Sequence, residues 1–494
     1  MVDSGWLANP EALRRAQFDL KLPFTLPLSE VREEAEAVEK LVCRKLLRLI
    51  PGKRMVCAAL WKEREVVVKF YLDRRNGGRH FKRELAGVRA LTVAGIKTPD
   101  LLFHGTVSAG HLPLIIFAEI KPAATLVDLW FSQDEKRFRF KLLERVCAVI
   151  AGHHVAGLLQ SDIHWSNFLF SNDDLLTIDG DAVESKNAGR ALERKSSLAN
   201  LALFLAEPYP GIDEHLERLW RSYCGCRDWS IEPRELERLR VQIGGHRRKK
   251  VDKFVIKSLR SCTAFVARRE DGFYTLLDRT YQGGDLERLL HHPDELLADG
   301  EILKDGNSAT VVRINIDGRD LVVKRYNIKN FTHALRRCFR PSRAFVSWKM
   351  GQRLSWWRIA TPKPVAMLEK RFFGLRSTAY FISEYVAGSS AYDHLRRPDI
   401  SATELEKWLR QFAVMLTQLR NLGLSHGDFK ATNFLCGSDS KLYLLDLDAM
   451  RSWARPESGF KVAVSRDYRR LLANWHEMPE LELSFQRIIE KLLL

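Results

Sequence analysis

The chain repeats one order of features twice, and this repetition limits the possible folds more than any single motif does. The runs REVVVKFY at 64–71 and RDLVVKRY at 319–326 are rich in β-branched residues, contain a lysine followed by aromatic residues, and predict strands. After each run come a basic helical stretch, a turn marked by proline, a strand that runs into glutamate, an amphipathic helix, a polar loop and a strand that ends in a carboxylate. From the turn onward, these features lie at 95–99 and 359–362, 114–120 and 379–386, 134–157 and 402–422, 161–167 and 426–433, and 175–181 and 442–448.

The distance between matching positions is nearly constant. It is similar for the strand lysine, the loop aspartate and the strand-end aspartate: 255 for Lys69 and Lys324, 266 for Asp162 and Asp428, and 267 for Asp179 and Asp446. We therefore predict a tandem duplication of one domain of about 220–250 residues, which is within the usual range of domain sizes. We assign 1–240 to the first domain, with motifs at 64–181, and 241–494 to the second, with motifs at 305–450.

Each half supplies the residue types that phosphoryl transfer requires. The reaction needs a cation on the nucleotide phosphates, carboxylate and amide oxygens for Mg²⁺, and a carboxylate that orients the attacking hydroxyl. In the second half Lys324 is the candidate cation, Asp428 the candidate base, and Asn433 and Asp446 the candidate metal ligands. The matching residues of the first half are, in the same order, Lys69, Asp162, Asn167 and Asp179. The order predicts a kinase that uses ATP and Mg²⁺.

The step of five residues from the loop aspartate to the asparagine is the same in both halves. A short loop can then direct one side chain at the substrate hydroxyl and the other at a metal beside the same phosphates. HGDFKATNF followed by LLDLD is a specific pattern, whereas SDIHWSNF followed by TIDGD is weaker, because Gln160 and Ser161 replace the usual histidine and its neighbour. A single strand-end lysine is usually only a solvated charge, so the prediction depends on the order and on its repetition.

With these motifs the chain resembles the protein-kinase-like superfamily, and its second half is similar to the bacterial lipopolysaccharide core kinases, which phosphorylate heptose or Kdo sugars. The similarity is carried by DGNSATVVRI at 305–314, VVKRYNIKNFTHALRRCFRPSRA at 322–344, TPKPVAMLE at 361–369, ISEYV at 382–386, HGDFKATNFL at 426–435 and LLDLDAM at 444–450. The resemblance implies an α+β fold of two tandem kinase-like domains, each with a small sheet-rich N-lobe and a helical C-lobe. Besides the two lysines, the nucleotide-binding candidates are Glu84, Gly306, Asn307, Ser308, Glu384 and Glu119.

The two halves depart from the family pattern in different ways. In active kinases a helix glutamate pairs with the strand lysine, and Glu84 suits that role in the first half. From Lys324 to Lys363 the second half has no acidic residue, so Lys324 must be held by another group. Neither half has a full glycine-rich loop, although 305–308 is a plausible short substitute and 51–53 a poor one. Asp181 and Asp448 either join the metal site or cap the following turn.

The preferred hypothesis is an ATP-dependent phosphotransferase with an alcohol acceptor, which phosphorylates heptose or Kdo in the lipopolysaccharide inner core during cell-envelope biosynthesis; one of its two domains could be inactive. The first alternative is a pseudokinase scaffold that docks other core-assembly enzymes. The second is a protein Ser/Thr kinase, which is disfavoured because no activation segment ending in Ala-Pro-Glu follows Asp179 or Asp446. Nucleic-acid binding is weaker still, since no known reader fold surrounds the basic residues.

The net charge of +17 predicts an anionic partner. The stretch 324–363 contributes much of this charge, with 11 Lys or Arg and no acidic residue, and it suits either a phosphorylated core sugar or an anionic lipid surface. Within it, Phe331, Leu335 and Phe339 recur at a spacing of four and form either a seam to the domain or a membrane-facing edge.

The opening residues show no secretory signal and no segment is long enough to span a bilayer, so we expect a cytoplasmic protein that is peripheral at the inner face of the inner membrane. The eight cysteines are scattered along the chain, which favours reduced thiols over a zinc site. We expect Trp348, Trp356 and Trp357 to be core residues, because aromatic residues at helical spacing usually pack inward.

Overall fold

The structure is a computed structural model that describes residues 22–29, 39–107, 112–132, 135–187, 189–207, 212–298, 300–306, 308–327, 340–372, 375–453 and 458–493. The chain divides into two compact units, with the division between His246 and Arg247. Helices and strands are mixed in both units, so the α+β class expected from the sequence is confirmed.

The first unit begins with a closed antiparallel barrel. Its strands are β1 (Phe24–Ser29), β2 (Glu39–Ile50), β3 (Arg54–Trp61), β4 (Arg64–Tyr71), β5 (Leu101–Val107) and β6 (Leu112–Ala118), in the order β1-β2-β3-β4-β6-β5. Alternate residues of β3 point inward, among them Met55, Cys57 and Trp61, because side chains alternate across a strand. Helix α1 (Gly77–Val93) connects β4 to β5 and packs on the outside of β6 through Val88.

The rest of the first unit is mainly helical, with short strands that carry the polar loop. Its elements are β7 (Ala124–Thr125), α2 (Leu126–Ser132), α3 (Lys136–Val155), β8 (Leu158–Gln160), β9 (Phe168–Ser171), β10 (Asp174–Thr177), β11 (Val183–Ser185), α4 (Arg194–Leu205), α5 (Leu216–Cys226) and α6 (Pro233–Lys257), the last of which contains the division. One turn of 3₁₀ helix at Trp165–Asn167 precedes β9, and another at Gly180–Ala182 follows β10. Because Phe168 pairs with Thr177, the loop and the strand end lie together at the open end of one hairpin.

The second unit begins with a seven-stranded antiparallel sheet in the order β12-β13-β17-β18-β16-β15-β14. The strands are β12 (Phe265–Glu270), β13 (Phe273–Asp278), β14 (Glu301–Gly306), β15 (Ala309–Ile316), β16 (Arg319–Tyr326), β17 (Pro364–Phe372) and β18 (Leu375–Glu384), with α7 (Gly284–Leu289), α8 (Glu295–Ala298) and α9 (Arg343–Trp356) between them. A tight turn at 271–272 joins β12 to β13, since Glu270 pairs with Phe273.

The remaining elements of the second unit repeat the helical pattern with short strands. They are β19 (Gly388–Ser390), α10 (Ala391–Leu395), α11 (Ala402–Asn421), β20 (Leu424–Ser425), β21 (Phe434–Gly437), β22 (Leu442–Leu444), β23 (Arg451–Ser452), α12 (Ser458–Leu472) and α13 (Pro479–Leu493). Turns of 3₁₀ helix at Ala431–Asn433 and Leu447–Ala449 flank the hairpin of β21 and β22. As expected, Trp348 and Trp357 are buried in the core and Trp356 packs against it.

Candidate active sites

In the first unit a buried ion pair holds the strand lysine. Lys69 lies on β4, and its Nζ is 2.6 Å from Oε1 of Glu84, which lies on α1 and is fully buried. The same Nζ is 3.5 Å from Oδ1 of Asp179. Burial opposes the charged ammonium, but Glu84 and Asp179 outweigh it and raise the pKa of Lys69. The structure thus brings together three residues that the sequence assigned to one site.

Glu84 also joins helix α1 to the end of strand β10. Its two carboxylate oxygens accept hydrogen bonds of 3.2 Å from the backbone N–H groups of Gly180 and Asp181. The helix can come this close because Gly87 has no side chain: a Cβ there would overlap the carbonyl oxygen of Gly180. One glutamate therefore positions both the lysine and the turn that carries the strand-end aspartates.

Asp179 and Asp181 are enclosed by basic side chains. The Arg54 guanidinium bridges them, with Nη1 at 3.3 Å from Asp179 and Nη2 at 2.8 Å from Asp181. His80 and Arg83 of α1 also contact Asp181, at 2.8 and 3.5 Å. Although burial acts against ionisation, Lys69 and Arg54 lower the pKa of Asp179 to about 2. The backbone of Asp179 is left-handed, with φ of 70°, which is an uncommon conformation for a residue with a Cβ.

The polar loop of the first unit is fixed through its asparagine. Asn167 is buried, and its Nδ2 donates to the carbonyl oxygen of Asp162 at 3.0 Å, while the Asp162 side chain is exposed. The carbonyl of Asn167 accepts from the backbone N–H of Ile178 at 2.8 Å, which ties the loop to the strand that ends at Asp179. Gln160 donates to the carbonyl of Ile178 at 3.3 Å.

In the second unit the strand lysine is held by the strand-end carboxylates themselves. Lys324 lies on β16, with Nζ at 2.5 Å from Oδ1 of Asp446 and at 3.3 Å from Oδ2 of Asp448. Burial again works against charge, but Lys324 lowers the pKa of Asp446 and the aspartates contribute to a raised pKa for Lys324. Arg343, at the start of α9, donates to Asp448 at 2.6 Å. Asp446 has the same left-handed backbone as Asp179, with φ of 54°.

A buried carboxylate anchors the polar loop of the second unit. Asp467 on α12 accepts the backbone N–H groups of His426 and Gly427 at 2.7 and 2.9 Å. Its pKa is raised by burial, although these two donors act to lower it. The His426 ring donates from Nε2 to the carbonyl of Leu445 at 2.8 Å, so the loop is also tied to the strand that ends at Asp446.

The loop aspartate of the second unit has basic neighbours. Arg470 donates to Oδ1 of Asp428 at 2.8 Å and to the carbonyl of Gly427 at the same distance, and Lys430 lies 3.3 Å from the same carboxylate oxygen. Asn433 donates from Nδ2 to the carbonyl of Asp428 at 2.7 Å. The structure thus brings Asp428 and Asn433 together on one short loop.

The other nucleotide-binding candidates lie on strands or at their ends. Gly306 ends β14 and pairs with Ala309. The carbonyl oxygen of Ser308 accepts a hydrogen bond from the backbone N–H of Asn327. Asn307 lies outside the described residues. Glu384 ends β18 and accepts from the Tyr281 hydroxyl. Glu119 follows β6 and lies 3.3 Å from Lys121.

Sequence reasoning missed several residues that shape these sites, among them His80, Arg83 and Arg470 and the three that follow. Arg54 and Arg343 pair with strand-end aspartates, and Asp467 binds the backbone just before Asp428, yet no catalytic motif marks them. The only signal for Arg54 is a basic residue after the turn at 51–53, and Arg343 was counted only within the basic stretch. Asp181 and Asp448, whose roles were left open, are ion-pair partners of these two arginines.

Oxygen donors for a metal are present, but they do not form a dense cluster. Within the described ranges no group of three or more His, Cys, Asp or Glu side chains could hold a metal ion. In the second unit Asn433 lies on the loop that is hydrogen-bonded to the strand ending at Asp446, so these two side chains could supply oxygen donors together. Such a pair suits Mg²⁺, because that ion is usually held by one or two carboxylates together with substrate phosphates.

The basic stretch is partly accounted for by ion pairs. Arg325 lies 3.1 Å from Asp294, Arg353 is 2.5 Å from Asp252, and Lys324 and Arg343 contact the site. Lys329, Phe331, Leu335, Arg336, Arg337 and Phe339 lie outside the described residues. None of the helices in the described part of the chain combines the length and hydrophobicity that a membrane span requires.

Comparison with known families supports the assignment for the second unit. Residues 297–482 match the model of the Lipopolysaccharide kinase (Kdo/WaaP) family, which confirms the resemblance of the second half to the lipopolysaccharide core kinases. The match contains Lys324, Asp428 and Asp446 with all their partners named above, and it contains none of the first-unit residues. No curated protein is significantly similar to the chain.

Proposed function

We propose that both units are protein-kinase-like domains that arose by duplication, and that the second is a phosphotransferase acting on an alcohol group of the lipopolysaccharide inner core. The observation that carries the proposal is the loop that holds Asp428 and Asn433 beside the strand end at Asp446, within the region that matches the lipopolysaccharide kinase family. Shared contacts support the duplication: in both units the asparagine donates to the loop aspartate carbonyl and accepts from the residue before the strand-end aspartate.

The second unit offers suitable groups for Mg-ATP. Lys324 would hold the nucleotide phosphates, and Asn433 with Asp446 would hold Mg²⁺. The fit rests on donor chemistry: the Asn433 Nδ2 already donates to the Asp428 carbonyl, so its Oδ1 is left as an oxygen ligand. When bound, Mg-ATP supplies the phosphoryl group and the metal charge that neutralises it.

The chain's own residues orient the acceptor. Asp428 would act as the general base: it would hold the sugar hydroxyl in line with the phosphoryl group and accept the proton of that hydroxyl. Arg470 and Lys430 contact Oδ1 of that carboxylate. Oδ2 has a long contact of 3.5 Å from Asn433 Nδ2, and it would accept from the hydroxyl. The Asp467 anchor keeps the loop in place, because a buried carboxylate that accepts two backbone N–H groups restricts the loop strongly.

The same basic pair supports an anionic acceptor. Arg470 and Lys430 are about half exposed beside the candidate base, so a phosphate or carboxylate on the sugar could contact them directly. Heptose and Kdo of the lipopolysaccharide core are the acceptors that the family resemblance favours. We place the enzyme at the cytoplasmic face of the inner membrane, where the basic stretch would contact anionic lipid.

The test combines a cellular and a purified measurement. Mass spectrometry of the lipopolysaccharide core should show loss of one phosphate when the gene is absent, and its return with the parent gene but not with Asp428→Asn. Asp162→Asn is the matched control, and it should restore the phosphate. Purified protein should transfer labelled phosphate from ATP to core lacking this modification. An unchanged phosphate content in cells without the gene would contradict the proposal.

A further inference from the structure

The two units differ in how many basic side chains surround their strand-end aspartates. In the first unit Lys69, Arg54, His80 and Arg83 all lie within 3.5 Å of Asp179 or Asp181. In the second unit Lys324 and Arg343 are the basic groups that lie as near to Asp446 or Asp448 among the described residues.

The additional contact to the candidate metal ligand comes from Arg54. Strand pairing places Arg54 opposite Tyr71 and Val56 opposite Lys69, and in the second unit Ala309 opposite Tyr326 and Val311 opposite Lys324. The position of Arg54 is therefore occupied by Ala309 in the second unit.

Arg54 and its partners are shielded from water. The side chains of Arg54 and Asp181 are 17% and 14% exposed, and the guanidinium lies 5.5 Å from the centre of the Tyr71 ring. A guanidinium is charged at every physiological pH and donates in a planar fork that matches phosphate oxygens, whereas a metal ion would have to displace it from Asp179. Arg54 thus supplies a permanent positive charge beside Asp179. The matching Asp446 of the second unit pairs with one basic residue, Lys324, within the part of the chain that the structure describes.

We infer that the first unit binds nucleotide phosphates without a divalent cation, with the Arg54 guanidinium in the place of the metal. The inference rests on the proposed kinase-like architecture and adds a ligand mode to it. Lys69 contacts the phosphates as in the second unit, because Glu84 holds it independently of Asp179. Arg54 directs its remaining N–H donors at the phosphate oxygens while Nη1 stays with Asp179, and His80 and Arg83 remain in contact with Asp181.

The experiment is calorimetric titration of the full chain with a non-hydrolysable imido analogue of ATP, in Mg²⁺ and in EDTA. The Lys324→Met variant removes the second site, so that one binding event remains. We expect its dissociation constant to agree within threefold between the two conditions. Arg54→Ala should weaken binding in EDTA at least tenfold and make it depend on Mg²⁺. Arg48→Ala removes the same charge from an exposed position of β2 and should change nothing.

A second measurement avoids dependence on the Lys324→Met variant. Native mass spectrometry of the parent chain should show one bound nucleotide in EDTA and two in Mg²⁺, and Lys69→Ala should remove the one seen in EDTA. The inference is overturned if first-unit binding is lost in EDTA, if Arg54→Ala has no effect, or if no bound nucleotide depends on Lys69. None of these results changes phosphate transfer by the second unit, so the proposed function stands or fails separately.

Discussion

The strand lysines of the two units are neutralised in opposite ways. Lys69 pairs with a glutamate from the adjacent helix, and this glutamate also accepts two backbone N–H groups of the strand-end turn. Lys324 pairs with Asp446 and Asp448. In the proposed function the nucleotide phosphates would need Lys324 and the metal would need Asp446. The first arrangement is independent of ligand, whereas the second must rearrange when a ligand enters. The unit that has a separate glutamate for its lysine therefore also has more basic side chains around its strand-end carboxylates, counting the described residues alone.

An arginine on a tyrosine ring occurs in both units, but it comes from different elements. Arg54 of β3 lies 5.5 Å from the ring centre of Tyr71 and pairs with Asp181; Arg343 of α9 lies 5.0 Å from that of Tyr326 and pairs with Asp448. Both tyrosines follow the strand lysine by two positions. A buried second carboxylate requires a cation, and the two units supply it from unrelated positions.

The largest expected difference is catalytic. Asp428→Asn should lower the rate of phosphate transfer by about a hundredfold to ten-thousandfold, because it removes the general base, while Asp162→Asn should leave the rate within twofold. Steady-state kinetics with ATP and lipopolysaccharide core would measure both. Equal losses from the two changes would mean that both loops work, and the comparison of the units would fail.

The second difference is in the folding stability of the units. Glu84→Gln should lower the free energy of unfolding of the first unit by about 3 kcal/mol, since it leaves the buried Lys69 without its nearest partner. Adding Lys69→Met should recover part of this loss, because the uncompensated charge is then removed. Urea unfolding of the full chain would measure both variants. An unchanged transition of the first unit in Glu84→Gln would show that the ion pair contributes nothing to its stability.

The third difference is in the response to acid. Burial lowers the pKa of His153 to about 3 and that of His154 to about 4, and residues 419 and 420, at the matching positions of α11, are leucine and arginine. In the unfolded chain both histidines become protonated near pH 6.5, whereas in the folded first unit they stay neutral until a much lower pH. The free energy of unfolding that they contribute is therefore fully present above pH 6.5 and is lost as the pH falls toward 4. Each histidine should remove about 2 kcal/mol at pH 5.0 relative to pH 7.5.

Scanning calorimetry at these two pH values would test the acid response. The first-unit transition should shift to lower temperature at pH 5.0 more than the second-unit transition does. Replacing both histidines with glutamine should reduce this extra shift, whatever the change does at pH 7.5. If the extra shift persists in that variant, other groups are responsible.

The smallest difference concerns the acceptor. In the first unit Asn200 of α4 donates to the carbonyl of Gln160, just before the polar loop, and so anchors the loop as Asp467 does in the second. Leu203 follows Asn200 by three positions, as Arg470 follows Asp467. Arg470→Leu should raise the KM for lipopolysaccharide core roughly tenfold and change kcat less, because the proposed function has the arginine contact the acceptor rather than ATP. Arg466→Leu, at an exposed position one turn earlier in α12, is the control. A change confined to kcat would assign Arg470 to positioning of Asp428 instead.

Much of the architecture could be predicted because it follows local patterns. The strands around Lys69 and Lys324, the helix that carries Glu84 and the loop with Asp428 and Asn433 all follow from periodicity and spacing along the chain. The site partners could not be predicted, because Arg54 and Asp179 are 125 residues apart and meet only when the barrel has formed. Likewise, the acid-free stretch after Lys324 indicates that an unusual partner exists, but not that Asp446 is that partner.

The substitution at the polar loop illustrates the same limit. From the sequence, Gln160 only weakens the match to a kinase loop. In the structure its amide donates to the carbonyl of Ile178, as the His426 ring donates to that of Leu445. Two side chains of different chemistry make the same hydrogen bond, and only the folded geometry reveals that they are equivalent.

Laboratory evolution for heat resistance alone would act against the left-handed aspartates. Glycine at position 179 would relieve roughly 1 kcal/mol of backbone strain, and Lys69 and Arg54 would keep Glu84 and Asp181 as partners. Glycine at position 446 would gain less, because Lys324 would lose its nearest carboxylate. The most heat-resistant descendants should therefore lose the first strand-end carboxylate before the second, and a library screened by melting temperature needs a nucleotide-binding screen beside it.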